Sequence, residues 1–153
     1  MGVEAGTRAM PSTAGGGFTL TEVLVVVLIT ALLALLILPA YEGRVWQTRR
    51  ALAHLELREV LARQERYYME RGRYADTLAD LGLPGDPYAL DTQGARTDAQ
   101  DSRRVYRVEL STGEGGFLLH ARPQGRQRDD PCGELRLSWT GATAAEAAAL
   151  DCW

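Results

Sequence analysis

Glu22 is the residue whose chemistry most needs an explanation. It stands four residues after Phe18, at the head of an uncharged run of 19 residues from Val23 to Tyr41. A carboxylate at membrane depth costs about 2.5–3.5 kcal/mol and takes a partner. No Lys, Arg or His lies within one helical turn of it. Glu22 therefore sits at a membrane interface, or its partner comes from another molecule. Other reactive residue types are sparse. Two cysteines, Cys132 and Cys152, lie late in the chain, and two histidines, His54 and His120, lie far apart. No Ser/His/Asp set has a recognisable context, so neither an enzyme nor a cofactor is predicted. His54 lies on a charged helical segment and His120 points outward in an alternating run; both read as solvated. Asp129-Asp130 suggests calcium, but Arg126 and Arg128 oppose a cation, and no metal site is predicted. Gly15-Gly16-Gly17 lacks the Lys-[Ser/Thr] ending of a phosphate loop. Arg103, Arg104, Arg107, Arg122, Arg126 and Arg128 suggest a phosphate-binding patch. Asp101, Glu109, Asp129 and Asp130 interleave with them, so a solvated mixed face is the favoured reading.

The elements that must position these residues follow from pattern. A chain of 153 residues allows one ordinary domain. With 46% hydrophobic and 24% charged residues it is not mostly disordered. A net charge of −3 excludes a global basic field, and all 17 basic residues are Arg. The uncharged run is long enough for a membrane-spanning helix, which needs about 20 residues. It exceeds the roughly 7–15 apolar residues of a cleaved secretory signal. It also ends Leu38-Pro39-Ala40, with a large residue where such a signal needs a small one.

Helical periodicity continues beyond it. Ala53, Leu57, Val60, Leu61, Gln64 and Tyr68 form an i, i+3/i+4 stripe, and Glu59 with Arg63 makes a favourable i, i+4 pair. Gly72 is the stop signal. One helix is predicted from about Phe18 to Arg71, bent near Pro39, roughly 80 Å long. Tyr74 to Gln100 is rich in Asp, Gly, Pro and Thr and reads as a connecting loop. Three runs then alternate with period two, 105–110, 117–122 and 135–139, separated by turn residues. They predict antiparallel strands with one face buried against the helix. Tyr67, Tyr68 and Tyr74 are expected to pack the helix-to-sheet junction. Thr143 and Glu146 have capping-box spacing, so 143–150 is either a short helix or a low-complexity loop. The even cysteine count on an exported domain suggests one disulfide, Cys132–Cys152, enclosing 19 residues. It would stabilise the fold by about 3 kcal/mol in the loop-entropy model. Two reduced thiols are the alternative and would require a cytosolic domain.

Gly17-Phe18-Thr19-Leu20-Thr21-Glu22 resembles the processing site of type IV prepilins. The resemblance implies cleavage between Gly17 and Phe18 by a membrane peptidase, and N-methylation of Phe18. It implies that Glu22, then the fifth residue, pairs with the amine of a neighbouring subunit. Pro39 falls where the family commonly has a helix-kinking proline. Two departures are visible: Thr21 replaces a large apolar residue, and the 17-residue leader carries Arg8 as its only basic residue. Ala62-Arg63-Gln64-Glu65-Arg66-Tyr67-Tyr68, Gly72-Arg73-Tyr74, Leu78 to Leu83, Pro131-Cys132-Gly133-Glu134-Leu135 and Asp151-Cys152-Trp153 resemble PilE-type minor pilins.

The implied fold is α+β and type IV pilin-like: a long N-terminal helix, apolar then amphipathic, packed on a small antiparallel sheet with a C-terminal disulfide-bounded region. The implied organisation is a leader at 1–17, a transmembrane and filament-core helix at 18–39, and a globular domain at 40–153 that includes the amphipathic helix 40–72. The leading reading is a structural minor subunit of a type IV pilus, supporting twitching motility, adhesion or DNA uptake. Its partners would be other pilin subunits, the prepilin peptidase/methyltransferase, the pilus assembly machinery and, before assembly, inner-membrane lipid. The precursor would be single-pass with its globular domain periplasmic, and the assembled form would lie on the cell surface. The alternatives are a type II secretion pseudopilin, a DNA-binding pilin of a competence system, and a single-pass membrane protein whose Phe18 never becomes an N-terminus.

Overall fold

Thr19 starts the first element because its hydroxyl accepts the Glu22 amide N–H at 3.2 Å, closing a donor that the helix itself leaves open. The computed structural model describes residues 17–113, 115–147 and 152–153, and the side chains of 36–40 lie outside the description. The predicted leader therefore falls almost wholly outside the described residues, as does the side chain of Pro39. Helix α1 runs Leu20–Arg71. It ends where expected, at Gly72, whose φ of 70° is left-handed and whose N–H caps the Tyr68 carbonyl at 2.8 Å.

The chain divides into two compact units, Met1–Pro39 and Ala40–Trp153. In the first, the helix from Val23 to Leu35 is uncharged and, Thr30 apart, apolar. Val23, Leu24, Val25, Val26, Val27 and Leu28 are consecutive and all about half exposed or more. Among the described residues no helix is long and apolar enough to cross a membrane. The uncharged run passes through 36–40, where the description of side chains stops.

The second unit holds the core. Its six strands, β1 Tyr88–Asp91, β2 Arg96–Thr97, β3 Arg104–Gly113, β4 Gly116–Pro123, β5 Leu135–Ser138 and β6 Thr143–Ala145, form one antiparallel sheet in the order β2-β1-β3-β4-β5-β6. The amphipathic part of α1 packs on one sheet face. Ala53, Leu57, Val60, Gln64 and Tyr67 are buried, a 4-3-4-3 spacing that keeps one stripe inward. The stripe ends on Tyr67, not on Tyr68 as the spacing suggested. Tyr68 stands one residue, about 100°, round the helix and is 47% exposed. Gln64 is fully buried because it serves the loop: its amide nitrogen donates to the Ala75 carbonyl at 3.1 Å and its oxygen accepts the Ala75 N–H at 2.8 Å. Tyr106, Val108, Leu119, Ala121, Leu135 and Leu137 answer from the sheet.

Three expectations change here. The segment 74–100 is not simply loop, since it contains β1, β2 and a 3-10 turn at Ala79–Leu81. All four residues of β1 are buried, so no alternation marks it. Thr143–Ala145 is a strand on β5, not the start of a helix. The rest of the 143–150 expectation reaches 148–150, outside the described residues. Finally, β5 ends at Ser138, so Trp139 leaves the inward series and is 46% exposed.

Candidate assembly and nucleic-acid surfaces

Gly17 and Phe18 precede α1 in non-helical backbone, and Phe18 is 81% exposed. Glu22 lies in the first helical turn, where a carboxylate is stabilised by the positive end of the helix dipole. It is exposed, as are its apolar neighbours.

Two charged clamps hold α1 to the rest of the globular unit, the first from the C-terminal region and the second from β1 and β2. Cys132 and Cys152 form the expected disulfide. Between them and the helix sits Asp130, 3% exposed. Its carboxylate takes a bidentate pair from Arg50, at 2.8 and 3.1 Å. It also accepts the Cys132 N–H at 3.0 Å and the Gln127 amide at 2.9 Å. Every oxygen is thus committed to protein donors, which is the physical reason Asp130 belongs to the fold and not to a cation. The second clamp is Glu56, which accepts from Arg96 at 2.7 and 3.2 Å and from the Tyr88 hydroxyl. Burial first, then the bond and charge of Glu56, push the Tyr88 hydroxyl far above its ordinary range. Sequence reasoning missed both clamps. The signal was an acidic pair beside a cysteine, which says nothing of a helix 80 residues away.

The histidines are not solvated as the sequence suggested. His54 stacks on Trp153, with ring centroids 4.4 Å apart and planes 7° apart. Burial, then the charges of Arg50 and Arg58, hold its pKa below the ordinary value. His120 meets Glu134, Nδ1 to Oε1, at 2.5 Å. Burial pushes the Glu134 carboxyl up, but His120 and Arg122 outweigh it and the net shift is downward.

The predicted arginine patch divides. Arg103 is held by Asp101 at 3.3 Å, and Arg104 donates to the carbonyls of Gln100 and Asp101 at 3.0 and 2.8 Å. Those two serve their own loop. The Arg103 amide and guanidinium, with Thr97, lower the Asp101 carboxyl to about 2. Arg107 and Arg122 are directly opposite each other on β3 and β4, and Arg136 on β5 is opposite His120. These side chains project from the sheet face turned away from α1, because their neighbours Val108, Ala121 and Leu135 are buried beneath. Arg136 was absent from the predicted set. Glu109 lies 2.8 Å from Arg107 Nε and 3.0 Å from Arg122 Nη1, and Glu134 is 3.5 Å from Arg122 Nε. The Arg107 contact is an ion pair rather than a hydrogen bond, since the Nε–H has no aligned acceptor. The face therefore carries three guanidiniums against two carboxylates, with Arg126 and Arg128 exposed on the following 3-10 turn Gly125–Asp129.

The chain matches the family model described as type IV minor pilin ComP, DNA uptake sequence receptor, over residues 39–136. Among solved structures it is similar to a type IV pilin from Shewanella oneidensis, at 28% identity over 71% of this chain and 97% of that one, with a TM-score of 0.46. No curated protein matches it.

Proposed function

This chain belongs to the ComP family of type IV minor pilins, and we propose that it is the DNA-binding minor subunit of a competence pilus. It is a structural protein of a filament, not an enzyme. The observation that carries the DNA reading is the outer sheet face. Three arginines from three adjacent strands share it, Arg107 opposite Arg122 and Arg136 opposite His120, with Arg107 and Arg122 about half exposed. Guanidiniums on a rigid sheet suit phosphate oxygens, which supply most of the affinity in duplex binding. The family's DNA uptake role agrees with this.

The rest of the mechanism follows the two units. The uncharged helix holds the precursor in the inner membrane, with the globular unit on the periplasmic side. Prepilin peptidase cuts between Gly17 and Phe18, and Phe18 is methylated. The helix then packs among other subunits, where residues 23–35, uncharged and apolar but for Thr30, lose their exposed surface. The Phe18 ammonium of one subunit meets Glu22 of the next; either charge alone would be buried and unpaired, which is strongly destabilising. Pro39, which lacks a backbone N–H, is the position at which the helix can kink.

The test uses residues 40–153, since every buried core residue among those described lies within them. Fluorescence anisotropy with a short DNA duplex is expected to show binding that falls with salt. Three phosphate contacts give a log–log slope near −2.7, about −0.9 each. Replacing Arg107, Arg122 and Arg136 by Gln is expected to abolish it. No binding at about 50 mM salt, or binding unaffected by the triple change, contradicts the reading.

A further inference from the structure

Tyr68, Tyr74 and Trp139 surround one cleft of about 420 Å³ at the C-terminal end of α1, beside the β3–β4 hairpin. The cleft lies within the range of small-molecule sites. Two of its three rings are about half exposed, Tyr68 at 47% and Trp139 at 46%. The rings are fixed, not merely present. Tyr74 stands edge-on against the buried Phe117, centroids 4.9 Å apart, and lies 4.8 Å from Tyr68. The Trp139 backbone N–H donates to the Phe117 carbonyl at 3.0 Å, which fixes where the side chain springs from. Its indole lies on Gly116, so close that a Cβ there would fall 2.2 Å from the ring. A second hollow, of about 290 Å³, also touches Trp139 and shares Thr112, Gly113 and Gly116 with the first. Tyr74 and Trp139 are 6.5 Å apart with planes at 50°, a trough with aromatic walls.

The polar rim selects the ligand. Among the described residues the charged side chains of the rim, Arg73 and Asp76, are paired at 2.9 Å and carry no net charge together. The cleft also sits where α1 ends, the negative pole of the helix dipole, which disfavours an anion. A polyphosphate backbone is the wrong occupant on both counts. Arg73 nevertheless keeps donors beyond the one it gives Asp76, Asp76 keeps a second oxygen, and Thr112 adds a hydroxyl. We propose that this cleft binds a neutral pyranose of an oligosaccharide. The apolar C–H face of the ring packs on Trp139 and Tyr68, and its hydroxyls bond to Arg73, Asp76 and Thr112. Aromatic platforms supply area at low side-chain entropy cost, and burying their exposed halves provides the driving force. The site is distinct from the arginine face, so it gives the filament a glycan contact independent of DNA.

The test is a ¹H–¹⁵N NMR titration of residues 40–153 with chitotetraose, maltotetraose and cellotetraose separately. At least one is expected to shift the Trp139 indole N–H and the Gly113, Gly115 and Gly116 amides saturably, leaving the indoles of Trp46 and Trp153 unmoved. Trp139→Ala and, separately, Tyr68→Ala are expected to weaken it about tenfold or more while the remaining spectrum stays folded. Failure of all three sugars to move Trp139 overturns the proposal. So does unchanged affinity in both variants, or occupancy of the cleft by an oligothymidylate when the sugars fail. None of those results bears on Arg107, Arg122 and Arg136.

Discussion

Glu109→Gln is expected to strengthen DNA binding. The carboxylate lies 2.8 Å from Arg107 and 3.0 Å from Arg122, so it neutralises the two arginines best placed for phosphate. The face holds Arg107, Arg122 and Arg136 against Glu109 and Glu134, a formal +1 that the change raises to +2. A phosphate bound to either arginine lies about 5 Å from the Glu109 charge. At that distance the repulsion is about 0.8 kcal/mol in water and larger at the lower dielectric of a protein surface. Salt screening trims it. About 1 kcal/mol remains, close to a fivefold gain in affinity. The fold tolerates the loss, because partly exposed ion pairs are worth about 0–1 kcal/mol. The assay is anisotropy of a labelled duplex over a salt series, with Glu59→Gln as control. Glu59 pairs with Arg63 on the helix and is expected to change nothing. A Glu109→Gln domain that binds no tighter than wild type, or that matches the Glu59→Gln control, refutes the argument that this face meets DNA.

Three other outcomes follow from the same geometry. Asp130→Asn leaves the part-buried Arg50 without its counter-charge, which costs about 3 kcal/mol, the low end for a broken buried pair; at roughly 4 °C per kcal/mol the calorimetric midpoint of residues 40–153 falls about 12 °C. In an Arg50→Gln/Asp130→Asn double variant the cost is smaller than the sum of the single changes; strict additivity would remove the clamp from the account. Because His54 is held below its ordinary value of 6.5, the unfolded chain takes up that proton first. Stability is full above pH 6.5 and falls as the pH drops toward the folded-state value. Thermal melts across that window show the loss in wild type, and a His54→Gln variant that loses just as much would locate the proton elsewhere. Glu22→Val is expected to be processed normally and to enter filaments poorly, as read by immunoblots of sheared surface fractions; wild-type incorporation would refute the pairing with Phe18.

Local patterns made much of this molecule legible. The stripe Ala53, Leu57, Val60 and Gln64, the Gly72 stop and the alternation in β3, β4 and β5 each depend on neighbours in sequence, and each stands in the structure. The stripe failed only at its last turn, where adjacent tyrosines offered two candidates and Tyr67 took the inward one. Strand β1 escaped because both its faces are covered, which erases the period of two. What remained hidden was long-range. Asp130 meets Arg50 across 80 positions, and His54 meets the final residue, Trp153. No local spacing encodes either contact. Arg136 was overlooked for the same reason: its membership of the arginine face depends on β5 pairing with β4 in register with His120. The balance of charge pointed toward a solvated face, and only the register showed three guanidiniums gathered on one side.

The most direct test is mass spectrometry of the N-terminal peptide from sheared surface filaments. The account predicts a methylated Phe18 as the first residue, in filaments, at low abundance relative to the main subunit. An unprocessed chain found only in membranes would contradict it, because Glu22 would then have no ammonium to meet and the apolar helix no filament to enter.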